Sequence, residues 1–435
     1  MSGFEERRLH FIAIGGAGMS GLALVCHQLG ARVSGSDRAD SSYLERVRAA
    51  GIDARVGHDA ANVPADAEVV VSTAVPALNP ELAAARERDQ RVLHRGELLA
   101  ELCALKRLIA VAGTHGKTTT TAMLAWALRG LGRDPAFFIG GELPRAAGEN
   151  AANAGWGGGE WAVAEADESD ASFLKLGPEI AIVNNVEMDH HSRWGSLAEL
   201  TGAFARFAES ADVTVLPDEG VPDAVASAAE KARRFSAAGP GPAELTLAVP
   251  GAHNALNARA AIAALAAAGE DPDAAAAALA DFPGVRRRLE LKGTAAGARV
   301  YDDYAHHPTE VRAALSALRE LAPDRLVAVF QPHLYSRTKA MAADFGSALA
   351  LADEIVVLDV YPAREEPVGD LAGVSGLDVA RAAADRAGGR RVLWAPALDD
   401  AANALRHTGG GGSIVVTLGA GDVHRVGERL VEEAA

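Results

Sequence analysis

The octapeptide GTHGKTTT, Gly113 to Thr120, constrains this chain more than any other segment. The residues before it, Arg107 to Ala112, read RLIAVA, a short apolar run of the buried-strand type. Thr118 to Leu131 hold no proline and no glycine before Gly130, which predicts a helix. Strand, glycine loop and helix in that order turn loop N–H groups and the positive end of a helix toward an anion. Lys117 can then reach the outer phosphates of a nucleoside triphosphate, and the Thr118 hydroxyl can ligate Mg2+. The spacing departs from the usual G-x4-G-K-[ST]. Only two residues separate Gly113 from Gly116, and Val111 stands where the first glycine of that pattern belongs. The competing reading, a tight turn with a solvated lysine, leaves His115, Lys117 and four consecutive threonines unexplained.

A chain of 435 residues is too long for one ordinary core, so two or three domains are expected. The net charge of -16, with no basic block to offset it, argues against nucleic acid as a main partner. It does not exclude phosphate ligands, which need local N–H groups and a few cations. Cys26 and Cys103 alone supply no disulfide framework and fit a reducing cytosol. Arg7 and Arg8 before the apolar stretch Phe11 to Cys26 imitate an export signal. That stretch, however, carries Gly15, Gly16, Gly18 and Gly21 and runs directly into a βαβ pattern, so it reads as structure. No run elsewhere is long enough to span a bilayer.

The first hundred residues alternate strand and helix, with strands at Leu9 to Ile14, Arg32 to Ser36 and Glu68 to Ser72 and a helix at Met19 to Leu29. Between the first strand and that helix lies Gly16-x-Gly18-x-x-Gly21, followed by Asp37 at the end of the second strand. This fingerprint predicts a diphosphate over the helix N-terminus. A second α/β block runs from about Lys106 to Phe282, with near-continuous apolar strands at Trp161 to Ala166 and Glu179 to Asn184 and helices at Ala255 to Ala268 and Pro272 to Leu279. After Gly284 a third block has strands at Arg299 to Tyr301, Leu326 to Phe330, Glu354 to Val360 and Ser413 to Leu418, the last preceded by the flexible connector Gly409 to Gly412.

The segments rich in chemistry gather where strands end. Ligands of open parallel sheets collect at the C-terminal edge of the strands, so the carboxylates of AEADESD, Ala164 to Asp170, would face the nucleotide held by Lys117. A hard cation on its phosphates takes one or two such oxygens. The neighbouring strand ends in NNVEMDHH, where His190 can join a metal shell or orient a phosphate. Asn254 and Asn257 stand one helical turn apart and can read a purine or hold phosphate oxygens, or serve only as caps. Arg286, Arg287 and Arg288 mark the junction of blocks two and three, as a solvated face or as an arginine for the γ-phosphate. YDDYAHHPTE, FQPHLYSRT and DVYPAREEP each follow a strand of the third block, and their aspartates, histidines and arginines suit a small zwitterion.

Taken together the motifs resemble the Mur ligase family. GGAGMSGLA, SGSD, GTHGKTTT, EADESDASF, HNALNA, DDYAHHPTE, FQPH-YSRT, DVYPAREEP and LGAGD stand in family order and cover essentially the whole chain. The resemblance implies an α/β chain of three domains: a Rossmann-like UDP-sugar domain over 1–103, a P-loop ATPase-like parallel-sheet domain over 104–284 and a Rossmann-like amino-acid domain over 285–435. It places Gly16, Gly18, Gly21 and Asp37 near UDP. Gly113, Thr114, His115, Gly116, Lys117, Thr118, Thr119, Asn254 and Asn257 would surround ATP, with Lys117 on the transferring phosphate. Thr118, Glu165 and His190 would support Mg2+, Arg288 and Asp303 would come from the last domain when it closes, and Tyr304, His306, His333 and Arg337 would surround L-alanine.

The implied activity is ATP-dependent joining of L-alanine to UDP-N-acetylmuramate through an acyl phosphate, in bacterial peptidoglycan synthesis. The implied setting is the cytoplasm, with a monomer or weak homodimer and no nucleic-acid or membrane partner. His306 and His333 are alternative bases for the amine. Leu334 stands where many relatives carry arginine, and no lysine lies between His190 and Lys231, the region where other branches carry a carbamylated lysine. A recycling ligase that attaches a preformed peptide to the same sugar nucleotide would share almost every motif. A nicotinamide oxidoreductase would use the N-terminal fingerprint alone, and a non-catalytic nucleotide switch would need no amino acid.

Overall fold

The computed structural model describes residues 3–144, 151–189, 193–363, 365–405 and 410–434. It holds three sheets in sequence order. The first consists of β1 (Arg8–Ile12), β2 (Arg32–Asp37), β3 (Asp53–Val56), β4 (Glu68–Val71) and β5 (Val92–His94), all parallel, in the order β3-β2-β1-β4-β5. The second consists of β6 (Arg107–Ala112), β7 (Ala136–Leu143), β8 (Ala152–Gly155), β9 (Trp161–Glu165), β10 (Ile180–Val183), β11 (Val213–Pro217) and β12 (Ala232–Phe235), in the order β12-β11-β10-β6-β9-β7-β8. Only its β7–β8 pair is antiparallel. The third consists of β13 (Glu290–Ala295), β14 (Ala298–Asp303), β15 (Arg325–Phe330), β16 (Glu354–Val357), β17 (Arg391–Trp394) and β18 (Ser413–Leu418), in the order β13-β14-β18-β15-β16-β17, with β13 antiparallel.

In each sheet the strand order reverses beside a strand that carries one of the motifs. In the second sheet β6 lies between β9 and β10, so the phosphate loop, the acidic loop and the Asn184 loop leave the same edge side by side. Crevices at such reversals are where open α/β sheets bind ligands. In the first sheet β1 is flanked by β2 and β4, which puts the glycine turn at the corresponding place.

The chain packs as two compact units, one of Met1–Leu247 with Ala255–Phe282, the other of Ala248–Asn254 with Pro283–Ala435. The first unit holds sheets one and two around a shared core. Phe11 and Leu22 of the first sheet region join Phe138, Phe173, Phe204 and Phe207 of the second in one buried cluster. Phe173 packs against the Phe204 and Phe207 rings at centroid distances of 5.3 Å each. The second unit buries both faces of its own sheet, with Phe330, Phe345 and Leu349 on one side and Val327, Val329 and Val415 on the other.

Several element boundaries differ from the sequence expectation for local reasons. β1 stops at Ile12 because Ala13 takes φ +66° and its carbonyl accepts the Gly16 N–H, closing the turn that starts the helix Ala17–Gln28. β16 ends at Val357, short of Val360, where Gly376 N–H and Val360 N–H both donate to Asp359 Oδ1 and turn the chain. The strands β3, β5, β12 and β17 were not anticipated. Each is three or four residues long, and ARRF or VLH has too few alternating positions to register as a period. The β7–β8 hairpin was also missed, because AFFIGGEL carries a Gly-Gly pair that reads as a break.

Close helix packing in the second unit depends on Gly346, where a Cβ would lie 2.5 Å from the Ala382 carbonyl carbon. Gly346→Val should therefore destabilise this unit by about 1–3 kcal/mol through overpacking. An unchanged urea midpoint would contradict the packing described.

Candidate functional site

The phosphate loop is shaped by two glycines that no other residue could replace without strain. Gly113 has φ +135° and Gly116 has φ +80°. A Cβ on Gly113 would press on Asn184 at 3.0 Å, and one on Gly116 would run into Asn257 Oδ1. Between them Thr114 is clamped to the neighbouring loop: its hydroxyl donates to Glu187 O at 3.0 Å and accepts from Glu187 N–H at 2.9 Å. His115 N–H donates to Asn185 Oδ1 at 2.8 Å, and Asn184 Nδ2 donates to Thr120 Oγ1 at 3.1 Å. The helix Lys117–Gly130 then starts with no side-chain cap and no acidic residue in its first turn, where Thr118 and Thr119 are both buried. The uncapped N–H groups and the helix dipole give this end of the helix a positive potential suited to an anion.

Lys117 is folded over that loop. Its Nζ donates to Gly113 O at 2.6 Å, to Thr114 O at 3.1 Å and to Glu168 Oε1 at 3.0 Å. Burial pulls its pKa down, but the carboxylates of Glu168, Glu165 and Asp167 outweigh that and raise it above the ordinary lysine value, so the ammonium is charged at neutral pH. The Thr118 hydroxyl lies 3.1 and 3.0 Å from the two oxygens of Glu165, whose Oε2 also accepts the Gly140 N–H at 2.7 Å. A hydroxyl and a carboxylate side by side at a phosphate loop are hard oxygen donors of the kind Mg2+ takes while keeping several waters. His190 lies outside the described residues.

Gly16, Gly18 and Gly21 form the turn and first turn of the helix Ala17–Gln28, as the fingerprint requires. Asp37 differs in its engagement. Its Oδ2 accepts the Gly15 N–H at 2.9 Å, so the carboxylate holds the glycine turn. Gly21 lets β8 approach, since a Cβ there would lie 2.8 Å from Ala154 Cβ, and Asn153 Nδ2 donates to Ala17 O. Asn257 sits against Gly116, and Asn254, one turn earlier on the same helix Ala252–Ala267, donates to Pro250 O at 2.7 Å.

Sequence reasoning missed Arg95, and it placed Glu168 and Asn185 only within the AEADESD and NNVEMDHH motifs, without roles of their own. Arg95 opens the helix Arg95–Cys103 and is held by Asp167 and Asp170, and the available signal was HRGE, an arginine and a glycine at a helix start directly after a short strand. A partly open cleft, with about 100 Å³ accessible to water, runs from Gly18 past Arg95 and Phe138 to Glu165.

In the second unit the predicted residues meet at the C-terminal edge of β14 and β15. Asp303 is buried, with Oδ2 accepting Leu289 N–H at 2.8 Å and Oδ1 accepting Ala305 N–H at 2.7 Å. Burial pushes its pKa up, against Arg288 and those N–H groups, to about 6. Arg287, at φ +59°, donates to Asp302 and to the carbonyls of Gly419 and Gly421, which fixes the backbone on which Arg288 stands. Arg288 and Arg287 both stack on Tyr304. Burial, and then the Arg288 charge, lower His253 to about 4, so it is neutral. The rings of Tyr304, His306 and His333 follow one another at centroid distances of 5.3 and 5.7 Å. His306 Nδ1 lies 3.0 Å from Tyr304 O, and His333 Nδ1 lies 3.3 Å from Nη1 of the buried Arg337. Leu334 begins its helix at φ +71° with its N–H on Tyr361 O.

Three family profiles match the chain: "Mur ligase family, catalytic domain" over residues 8–107, "Mur ligase middle domain" over 111–240, and "Mur ligase, glutamate ligase domain" over 287–421. A UDP-N-acetylmuramate–L-alanine ligase of Kineococcus radiotolerans is 48% identical, across 98% of this chain and 95% of that one. The crystal structure of a UDP-N-acetylmuramate-alanine ligase from Thermotoga maritima superposes with a TM-score of 0.82 at 30% identity, covering 98% of each chain. That of a murein peptide ligase from Psychrobacter arcticus superposes at 0.71 with 25% identity, again covering 98% of each. With three family domains in order and the phosphate loop, acidic loop and third-sheet edge all built, the chain belongs to the Mur ligase family.

Proposed function

We propose that this chain joins L-alanine to UDP-N-acetylmuramate with cleavage of ATP to ADP and phosphate, a step of peptidoglycan synthesis. The observation that carries the proposal is the phosphate loop with Lys117 on Glu168 and Thr118 on Glu165, in a chain alike over nearly its full length to ligases named for this reaction. We divide the chain into a UDP-sugar domain over 1–103, an ATP domain over 104–284 and an amino-acid domain over 285–435. Among the described residues no helix is long and apolar enough to cross a membrane. ATP and sugar nucleotides are cytoplasmic, which is where we place the reaction, by a monomer or weak homodimer.

A carboxylate does not condense with an amine until one of its oxygens becomes a leaving group. The muramate carboxylate attacks the γ-phosphorus of ATP, ADP leaves, and an acyl phosphate forms; the amine of L-alanine then attacks the acyl carbon and inorganic phosphate departs. Lys117 follows the charge of the transferring phosphoryl group, exchanging its Glu168 contact for phosphate oxygens. Mg2+, held by Thr118 and Glu165 with His190, would neutralise phosphate charge. The loop N–H groups from Gly113 to Thr119 grip the phosphates, and Asn257 and Asn254 are assigned to ATP. Gly16, Gly18 and Gly21 carry the UDP diphosphate, with Asp37 holding their turn.

From the last domain Arg288 and Asp303 serve the reacting groups, and Tyr304, His306, His333 and Arg337 surround L-alanine. The hydrogen bonds favour His306 as the base. His306 Nδ1 lies 3.0 Å from Tyr304 O, a carbonyl that holds a proton on that nitrogen and so sets the tautomer of the ring. His333 already uses Nδ1 to accept from Arg337. A peptide-adding reading is the second possibility, favoured by the murein peptide ligase likeness and by Leu334 in the amino-acid loop.

The direct test is phosphate release from ATP, Mg2+ and UDP-N-acetylmuramate with L-alanine, glycine, L-serine or the wall tripeptide added singly. Release strongest with L-alanine is expected, and release only with the tripeptide moves the chain to the peptide-adding branch. Lys117→Ala should lower kcat by at least about 10³-fold without unfolding the chain, and normal turnover in it would remove the assignment. Glu165→Gln should raise the Mg2+ concentration for half-maximal rate at least about tenfold. A pH signature belongs to Asp303. Its folded pKa lies above the unfolded value, so its contribution to stability is complete below about pH 4, is lost as pH rises to about 6, and stays lost above that. Asp303→Asn should flatten this part of the stability profile, by on the order of 2–3 kcal/mol between pH 4 and 7 in urea titrations.

A further inference from the structure

The cleft of the first unit holds a cation that the reading above leaves without a task. Arg95 Nη2 donates to Asp167 Oδ2 at 2.7 Å and to Asp170 Oδ2 at 3.1 Å. Each acid is fixed by its other oxygen to its own loop: Asp167 Oδ1 accepts Ser169 N–H and Asp170 Oδ1 accepts Ser172 N–H, both at 2.9 Å. The helix that Arg95 opens is pressed against the same loop, because a Cβ on Gly96 would collide with Ser172 Cβ. One edge of the guanidinium is therefore locked. The other is not: Nη1 makes no hydrogen bond among the described residues, lines the cleft, and lies 3.3 Å from where a Cβ on Gly18 would be.

A purely structural strap would not need this arrangement. One acid suffices to hold an arginine, whereas two acids with independently fixed oxygens set the direction of the remaining N–H groups. That direction is toward the start of the helix Ala17–Gln28, which has no side-chain cap and no acidic residue in its first turn. Asn153 on Ala17 O holds that helix start to β8, so the two sides of the gap are both anchored.

Resting on the function proposed above, we propose that Arg95 is a substrate-binding residue that donates from Nη1 to the diphosphate of the sugar nucleotide, with Asp167 and Asp170 as its positioning residues. The two acids cancel most of its long-range field, so its contribution is a directed hydrogen bond, with the helix start supplying the positive potential. The same cleft then continues over apolar Leu99, Phe138 and Phe173 to Glu165, the length along which the muramyl group would extend toward Lys117.

Steady-state kinetics on Arg95→Ala, Arg95→Lys and Asp170→Asn, with calorimetric binding of UDP alone, test this. The expected result for Arg95→Ala is a KM for UDP-N-acetylmuramate raised at least about tenfold, with the KM values for ATP and L-alanine within about twofold. UDP affinity should weaken in parallel, Arg95→Lys should recover part of the loss, and Asp170→Asn should give a smaller shift of the same kind. An unchanged KM for the sugar nucleotide, unchanged UDP affinity, or a joint drift of all three KM values with a lowered melting temperature would overturn the proposal. A wild-type chain that releases no phosphate with UDP-N-acetylmuramate and L-alanine would refute the ligase reading instead, and the UDP titrations would still decide the role of Arg95.

Discussion

One acidic loop organises the first compact unit. It leaves β9 between the phosphate loop after β6 and the hairpin of β7 and β8, and its carboxylates divide between two tasks. Glu165 and Glu168 engage Thr118 and Lys117 of the phosphate loop, while Asp167 and Asp170 hold Arg95 beside the glycine turn of the first sheet. Glu168 is buried, and a buried carboxylate without a partner would cost several kcal/mol, so the Lys117 ammonium is what allows it there; the other three acids are partly exposed and each has a donor in place. The loop is therefore a mechanical link between two uncapped helix starts, and its chain path is fixed by the same interactions that hold both.

That arrangement explains why Lys117 can rest on Glu168 without being lost to chemistry. An ammonium already charged and desolvated needs little reorganisation when a phosphate replaces a carboxylate, which is the property that makes fixed charges effective in phosphoryl transfer. The second unit follows the same logic with other residues. Arg287 is consumed by Asp302 and two carbonyls so that Arg288 and Tyr304 are presented in one geometry, and Asp303 ties Leu289 to Ala305 across the start of that unit.

Much of this was legible in the chain because β6, β9 and β10 are continuous apolar runs that end abruptly in polar motifs, and because glycines with special φ values announce the turns. Gly113, Gly116, Lys117 and Thr118 lie in the loop and helix start after β6, with Glu165 at the end of β9 beside them. What escaped the reading had no periodic or motif signature. Strands of three or four residues such as β5 are held by their neighbours in the sheet, and Arg95 acquires meaning only when a loop seventy-odd residues later brings two aspartates to it. Asn254 and Asn257 do stand a turn apart on one helix, Ala252–Ala267, but their immediate neighbours, Pro250 O and the Gly116 turn, could not be read from that spacing. Sequence likewise supplies no hydrogen-bond partners for His306 and His333, on which the proposed assignment of the base rests.

The central claim is that the muramate carboxylate is activated by phosphorylation before the amine attacks. Following oxygen through one turnover tests it most directly, with UDP-N-acetylmuramate carrying 18O in both carboxylate oxygens. The account predicts that one labelled oxygen appears in the released inorganic phosphate and the other stays in the new amide. Release of unlabelled phosphate at the rate of amide formation would contradict it.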